Sequence, residues 1–91
     1  MTDDYDLILR GGNLADGTGA PIREADVAVK SGRIAAIGNI DGKGREEIDA
    51  KGKLVTPGFV DIHTHYDGQA TWDTRLAPSS WHGVTTAVMG N

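Results

Sequence analysis

Several features that mark particular classes of protein are missing from this chain of 91 residues. It has no cysteine, so disulfide bonds are excluded. Its aromatic content of 5% and hydrophobic content of 38% permit only a thin core. The 9 Lys and Arg residues are scattered, and the formal net charge is −4, which argues against nucleic acid or an anionic membrane surface as a partner.

Long apolar runs are missing as well. No stretch approaches the roughly 18–20 apolar residues of a membrane span. The opening segment, residues 1–6, is acidic and lacks the positively charged start of a signal peptide. We therefore expect a cytoplasmic protein with no nucleic-acid partner and no membrane partner.

Glycine is abundant, with 13 residues, which is about twice the usual share. The glycines fall between short apolar runs, a pattern typical of many short strands joined by tight turns. In residues 1–56 we expect small antiparallel strands and no chemistry, because no phosphate-binding glycine motif is present. Gly11-Gly12 is expected to end the first strand, and Ser31-Gly32 and Lys51-Gly52 to turn two hairpins. The predicted strands are Tyr5–Arg10, Ala25–Lys30, Arg33–Ile37, Glu47–Ala50 and Lys53–Thr56, with Asn13–Ala15 as a short continuation.

The candidate chemistry lies in residues 57–65, Pro-Gly-Phe-Val-Asp-Ile-His-Thr-His. Residues two apart on a strand share a face, so a strand here would place His63 and His65 side by side, about 6–7 Å apart at their bases. Two imidazoles at that spacing can converge on one metal ion. Asp61 shares the face and would either ligate the metal or accept a hydrogen bond that orients an imidazole. A zinc site needs at least three protein ligands, so this pattern predicts half of a metal site.

The residues after His65 predict a loop, a short helix and a second strand. Tyr66 and Asp67 would contact substrate, support the metal ligands or order the loop. A short helix over 76–82 would end at Gly83. The β-branched run 84–89 predicts a buried strand of the parallel kind. Two such strands need cover on both faces, so we expect the natural fold to continue beyond this chain.

These motifs resemble a known family. Residues 57–65 look like the first barrel strand of the amidohydrolase superfamily. The runs 63–69, 72–73, 78–86 and 88–91 are similar to its N-acyl-D-amino-acid deacylase (D-aminoacylase) branch. Residues 6–12 and 32–38 also match the small β-sandwich of that superfamily.

The resemblance implies a mainly β chain with two parts. Residues 1–56 would be part of a β-sandwich, and residues 57–91 would open a TIM-like (β/α)8 barrel. His63 and His65 match the family's metal-binding pair, for one or two zinc ions. In this branch, Gly-Asn at the position of residues 90–91 precedes a Cys ligand, so the remaining ligands and the catalytic Asp would lie beyond this N-terminal segment.

The same resemblance implies hydrolysis of the acyl amide bond of N-acyl amino acids by metal-activated water. No catalytic residue is expected within this chain, which alone should be inactive and hold zinc weakly or not at all. Two alternatives stay open: a cyclic amidase of the hydantoinase or dihydroorotase kind, and a non-catalytic β-rich module that self-associates to cover its apolar strand.

Overall fold

The computed structural model describes residues 3–90, and the chain divides into two compact units, Met1–Pro57 and Gly58–Asn91. Strands dominate the first unit and the second contains two short ones, while the helical residues that the structure describes are confined to two single 3-10 turns. The mainly β fold class predicted from the sequence is therefore confirmed. No helix within residues 3–90 is both long and apolar enough to cross a membrane.

The first unit is one mixed sheet of five strands. In it, β2 is antiparallel to both β1 and β3, whereas β4 and β5 run parallel to β1 along its other edge. The strand order is β3-β2-β1-β4, with β5 also paired to β1. The strands are β1 Tyr5–Leu14, β2 Arg23–Lys30, β3 Arg33–Gly38, β4 Gly44–Asp49 and β5 Leu54–Val55.

The predicted hairpin around Lys51-Gly52 is wrong. The turn closes through a bond from Lys53 N to Ala50 O of 2.9 Å, but the chain does not reverse there. Instead, β4 pairs with the first half of β1 and β5 pairs with its end. The long β1 edge offers unpaired backbone groups to both segments in succession, so each satisfies its hydrogen bonds there rather than with the other.

The first strand is longer than predicted, because Gly11-Gly12 does not end it. Gly11 has φ +68 and sits where the pairing register with β2 shifts, which is the signature of a β-bulge. Gly12 lies so close to Val55 that a Cβ there would collide with the valine side chain, and it would also lie 3.2 Å from Ala50 Cβ. The two glycines thus let β1 bend and pass close to β5 instead of stopping.

The hairpin of β2 and β3 forms as predicted across Ser31-Gly32. Both turn residues have positive φ, 54 and 75, as a type I′ turn requires. The core beneath this sheet is small. It consists of two clusters, one of Ile8, Ala28 and Ile40 and one of Leu14, Ala25 and Val27.

A side-chain network fastens the loop before β4 to the sheet. The Arg10 guanidinium donates to Ile40 O at 2.6 Å, Gly42 O at 2.8 Å and Glu47 Oε1 at 2.8 Å. It also contacts Asp26, 3.3 Å away. Burial opposes ionisation of Asp26, yet hydrogen bonds from Gly11 N and Ile40 N, with Arg10, lower the pKa of its carboxyl below the usual value. The charged residues Arg10, Asp26 and Glu47 therefore have a structural role, which is to hold the loop before β4 against the sheet.

The second unit contains β6, Phe59–Asp61, and β7, Val84–Ala87, which pair in parallel as predicted. The expected strand over the histidines is wrong, because β6 ends at Asp61. The predicted helix is shorter, a single 3-10 turn over Ser79–His82, and Gly83 (φ +88) ends it as expected. A further 3-10 turn, Gln69–Thr71, was not predicted. The expected end of the last strand at Asn91 lies outside the described residues.

Candidate metal centre

The two histidines lie just beyond the carboxyl end of β6, and both are exposed. Their ring centroids are 5.0 Å apart, with the planes at 79°. This separation is compatible with both imidazoles binding the same ion, each through one nitrogen at about 2.0–2.1 Å. The structure therefore brings His63 and His65 together, although through an irregular segment rather than through the predicted strand.

The Asp61 carboxylate hydrogen-bonds to the backbone beside the first histidine. Its Oδ1 accepts a hydrogen bond from the backbone N–H of His63 at 3.1 Å, an Asx-type turn that bends the chain immediately after the strand. Asp61 therefore shapes the backbone that carries His63. Its predicted role as a metal ligand or as a partner of an imidazole stays a prediction.

Two more side chains tie the histidine segment to the end of β7. The Thr64 hydroxyl donates to Val88 O at 2.7 Å, and Asp67 Oδ1 accepts from Gly90 N at 2.9 Å. Sequence reasoning missed Thr64. The available signal was its position between two histidines. In an alternating strand, the Thr64 side chain would point to the opposite, inner face from the two imidazoles.

Tyr66 is turned into the second unit. It is 9% exposed, and its hydroxyl lies 2.7 Å from Ser79 Oγ and accepts from Ser79 N at 3.2 Å. These contacts join the residue after the histidine pair to the 3-10 turn Ser79–His82. Among the roles expected for Tyr66, these contacts with Ser79 correspond to ordering the loop.

The loop between the two 3-10 turns is organised by Asp73. Its carboxylate accepts from Arg75 N at 3.0 Å, from Gln69 Nε2 at 2.7 Å and from Ala77 N at 3.1 Å. The backbone bond from Arg75, followed by the Gln69 side chain, lowers the pKa of Asp73 below its usual value. This carboxylate therefore holds the loop in place.

The donor set suits zinc but is incomplete. Imidazole nitrogens are good zinc ligands, and both rings are open to an incoming ion. Within residues 3–90, no group of three or more His, Cys, Asp or Glu side chains is gathered in a way that could hold a metal ion. His63 and His65 can therefore supply two ligands.

A family model described as amidohydrolase family matches residues 46–91, half of the chain including both histidines. The chain belongs to the amidohydrolase family. The resemblance inferred from the sequence motifs is thereby confirmed.

Individual relatives point to one branch. The D-aminoacylase of Alcaligenes xylosoxydans xylosoxydans is 44% identical over 88 residues, covering 96% of this chain and 18% of that protein. The structure of an N-acyl-D-glutamate deacylase from Bordetella bronchiseptica, complexed with zinc and a phosphonate inhibitor, matches with a TM-score of 0.90 and 45% identity over 96% of this chain and 19% of its own. This amidohydrolase chain thus spans about a fifth of the length of these relatives.

A cyclic amidase matches less fully. The L-hydantoinase (dihydropyrimidinase) of Arthrobacter aurescens has a TM-score of 0.60 and 41% identity, and the match covers 67% of this chain and 14% of that one. Both kinds of enzyme are therefore similar to this amidohydrolase chain, but the deacylase structure matches more of it and matches it more closely.

Proposed function

We propose that this chain is the N-terminal segment of a metal-dependent amide hydrolase that removes the acyl group from N-acyl-D-amino acids. The observation that carries the proposal is the exposed pair His63 and His65 at the carboxyl end of β6, in a chain whose backbone matches a zinc-bound deacylase with a TM-score of 0.90. On this proposal, residues 1–56 belong to a β-sandwich and residues 57–91 open a (β/α)8 barrel.

His63 and His65 would hold one of one or two zinc ions. Zinc bound there would lower the pKa of a water molecule and polarise the scissile carbonyl. The contribution of this chain is to fix the two imidazoles, through Asp61 at the backbone of His63 and through the ties to the end of β7. We assign no catalytic acid or base to this chain. We also propose that the protein acts in the cytoplasm on small molecules; its net charge of −4 disfavours nucleic acid as a partner.

Substrate class is tested on the full-length protein that contains this chain. We expect zinc-dependent release of free amino acid from N-acyl-D-amino acids, with the N-acyl-L enantiomers and hydantoins turned over at least about 10-fold more slowly, since D-substrates fit a deacylase site and hydantoins a cyclic-amidase site. The assay compares kcat/KM for the three substrate classes after metal removal and after zinc addition. Preferential opening of hydantoins would establish the cyclic amidase instead.

The isolated 91-residue chain is expected to self-associate and to bind zinc weakly. Its sheet presents an apolar groove with large exposed side chains, Ile34 at 64% and Ile37 at 45% exposed, and two imidazoles leave most of the coordination to water. Sedimentation should show concentration-dependent association that Ile34→Lys reduces, while Ala20→Lys, in an exposed loop, provides the matched control. A monomer that binds one zinc tightly would contradict this expectation.

The non-catalytic module makes a different prediction. The chain would then form a defined oligomer that zinc does not affect, and the full-length protein would show no hydrolase activity.

A further inference from the structure

The segment that carries the two histidines lies outside a strand, because β6 ends at Asp61. The last backbone hydrogen bond between it and the β7 side, within residues 3–90, runs from Val88 N to Asp61 O at 2.8 Å. Beyond Asp61, two side-chain bonds join the segments, from Thr64 Oγ1 to Val88 O and from Gly90 N to Asp67 Oδ1. Side chains therefore help to hold the backbone that carries both imidazoles.

Thr64 is the better placed of the two supports. It is 5% exposed and is the buried polar side chain of the described residues, while its neighbours His63 and His65 are exposed. A buried hydroxyl is costly without a hydrogen-bond partner, so its bond to Val88 O strongly favours one position of the backbone. Its β-branched side chain also has few alternative rotamers. This bond therefore helps to hold the chain at the midpoint between His63 and His65.

We propose that Thr64 is a positioning residue for the histidine pair, with Asp67 as a second tie, so that the two side chains set metal affinity without touching the metal. The inference rests on the proposed function. Removing either bond takes away one tie on the segment between Asp61 and Asp67, so more of the ordering of the two imidazoles falls at the moment of metal binding. Outer contacts of this kind typically change metal affinity by about 10–100-fold.

The test uses the full-length protein with Thr64→Val, which keeps the side-chain volume and removes the hydroxyl, and Thr64→Ser, which restores it. Zinc affinity is measured by competition with a chelator, and the cobalt-substituted protein is compared by visible absorption. We expect Thr64→Val to weaken zinc binding by about 10-fold and to alter the cobalt spectrum, and Thr64→Ser to restore both. Activity lost at limiting zinc should return when zinc is saturating.

Thr71→Val is the matched control. Thr71 Oγ1 donates to Gly68 O at 2.7 Å, the same kind of bond at the same length, in an exposed 3-10 turn of the same unit. It should leave zinc affinity unchanged. Equal zinc affinities for Thr64→Val, Thr71→Val and the unmodified protein would overturn the proposal, and so would equal losses in both variants.

Asp67 gives an independent pair of variants should Thr64→Val fold poorly. Asp67→Asn keeps an oxygen that can accept from Gly90 N, whereas Asp67→Ala does not. We expect weaker zinc binding only for Asp67→Ala, and equal affinities for the two variants and the unmodified protein would overturn the second tie. If the unmodified full-length protein binds zinc and hydrolyses its substrate while no variant differs, the positioning role alone fails. If that protein binds no metal, the proposed function fails as well.

Discussion

Full-length protein in which His63 and His65 are both replaced by asparagine is expected to bind at least one zinc ion fewer per chain and to lose at least about 100-fold in kcat/KM. The two rings lie 5.0 Å apart, exposed at the end of β6, and are the pair that this chain offers to a metal. Removing direct ligands should cost more than the 10–100-fold typical of outer contacts. Elemental analysis of dialysed protein and steady-state kinetics measure the two effects.

The third histidine of the chain is the natural control. His82 ends the 3-10 turn Ser79–His82 and is exposed, like the other two. His82→Asn makes the same chemical change outside the pair and should leave both zinc content and kcat/KM unchanged. If the double variant keeps its full zinc content and activity, the pair is not a metal site. The proposal that His63 and His65 hold the zinc of a hydrolase is then wrong.

The second large effect is expected at Gly58, directly before β6. A Cβ at this position would collide with Oγ1 and Cγ2 of Thr85 and would lie 2.8 Å from Thr85 Cβ. Rotation about χ1 of Thr85 cannot relieve the contact with its Cβ, so the backbone of β6 or β7 must shift. We expect Gly58→Ala to lower the free energy of unfolding by about 1–3 kcal/mol, measured by denaturant unfolding of the full-length protein.

Gly68→Ala provides the matched control, because a Cβ there meets nothing within 4 Å and its φ of −76 suits any residue. It should change stability by less than about 0.5 kcal/mol. A double-mutant cycle with Thr85→Gly tests the cause, since removing the side chain that collides should recover most of the loss caused by Gly58→Ala. Equal stabilities for Gly58→Ala and Gly68→Ala would show that β6 and β7 are not packed as closely as the structure has them.

Much of the local structure was predictable because its signals lie within a few residues. Alternation of apolar residues predicted the starts of β1 and β3 and the end of β2, and Ser31-Gly32 predicted a turn that demands positive φ. The β-branched run after Gly83 predicted β7, which pairs in parallel with β6. The pair His63 and His65 was found in the same way, because its spacing is a local property of the chain.

The remaining features depend on which segments meet, and alternation carries no information about that. Residues 44–55 have the same strand pattern whether they pair with each other or with β1. They pair with β1 because its free edge offers unpaired backbone groups to both segments. The bulge at Gly11 likewise arises from the pairing of β1 with β2. Thr64 gains its role from Val88, which is 24 residues away. The sequence by itself thus determined that most of these strands exist, the turn at Ser31-Gly32 and the two candidate ligands. Only the tertiary structure decided the pairing and how the ligands are held, because both depend on contacts between residues distant along the chain.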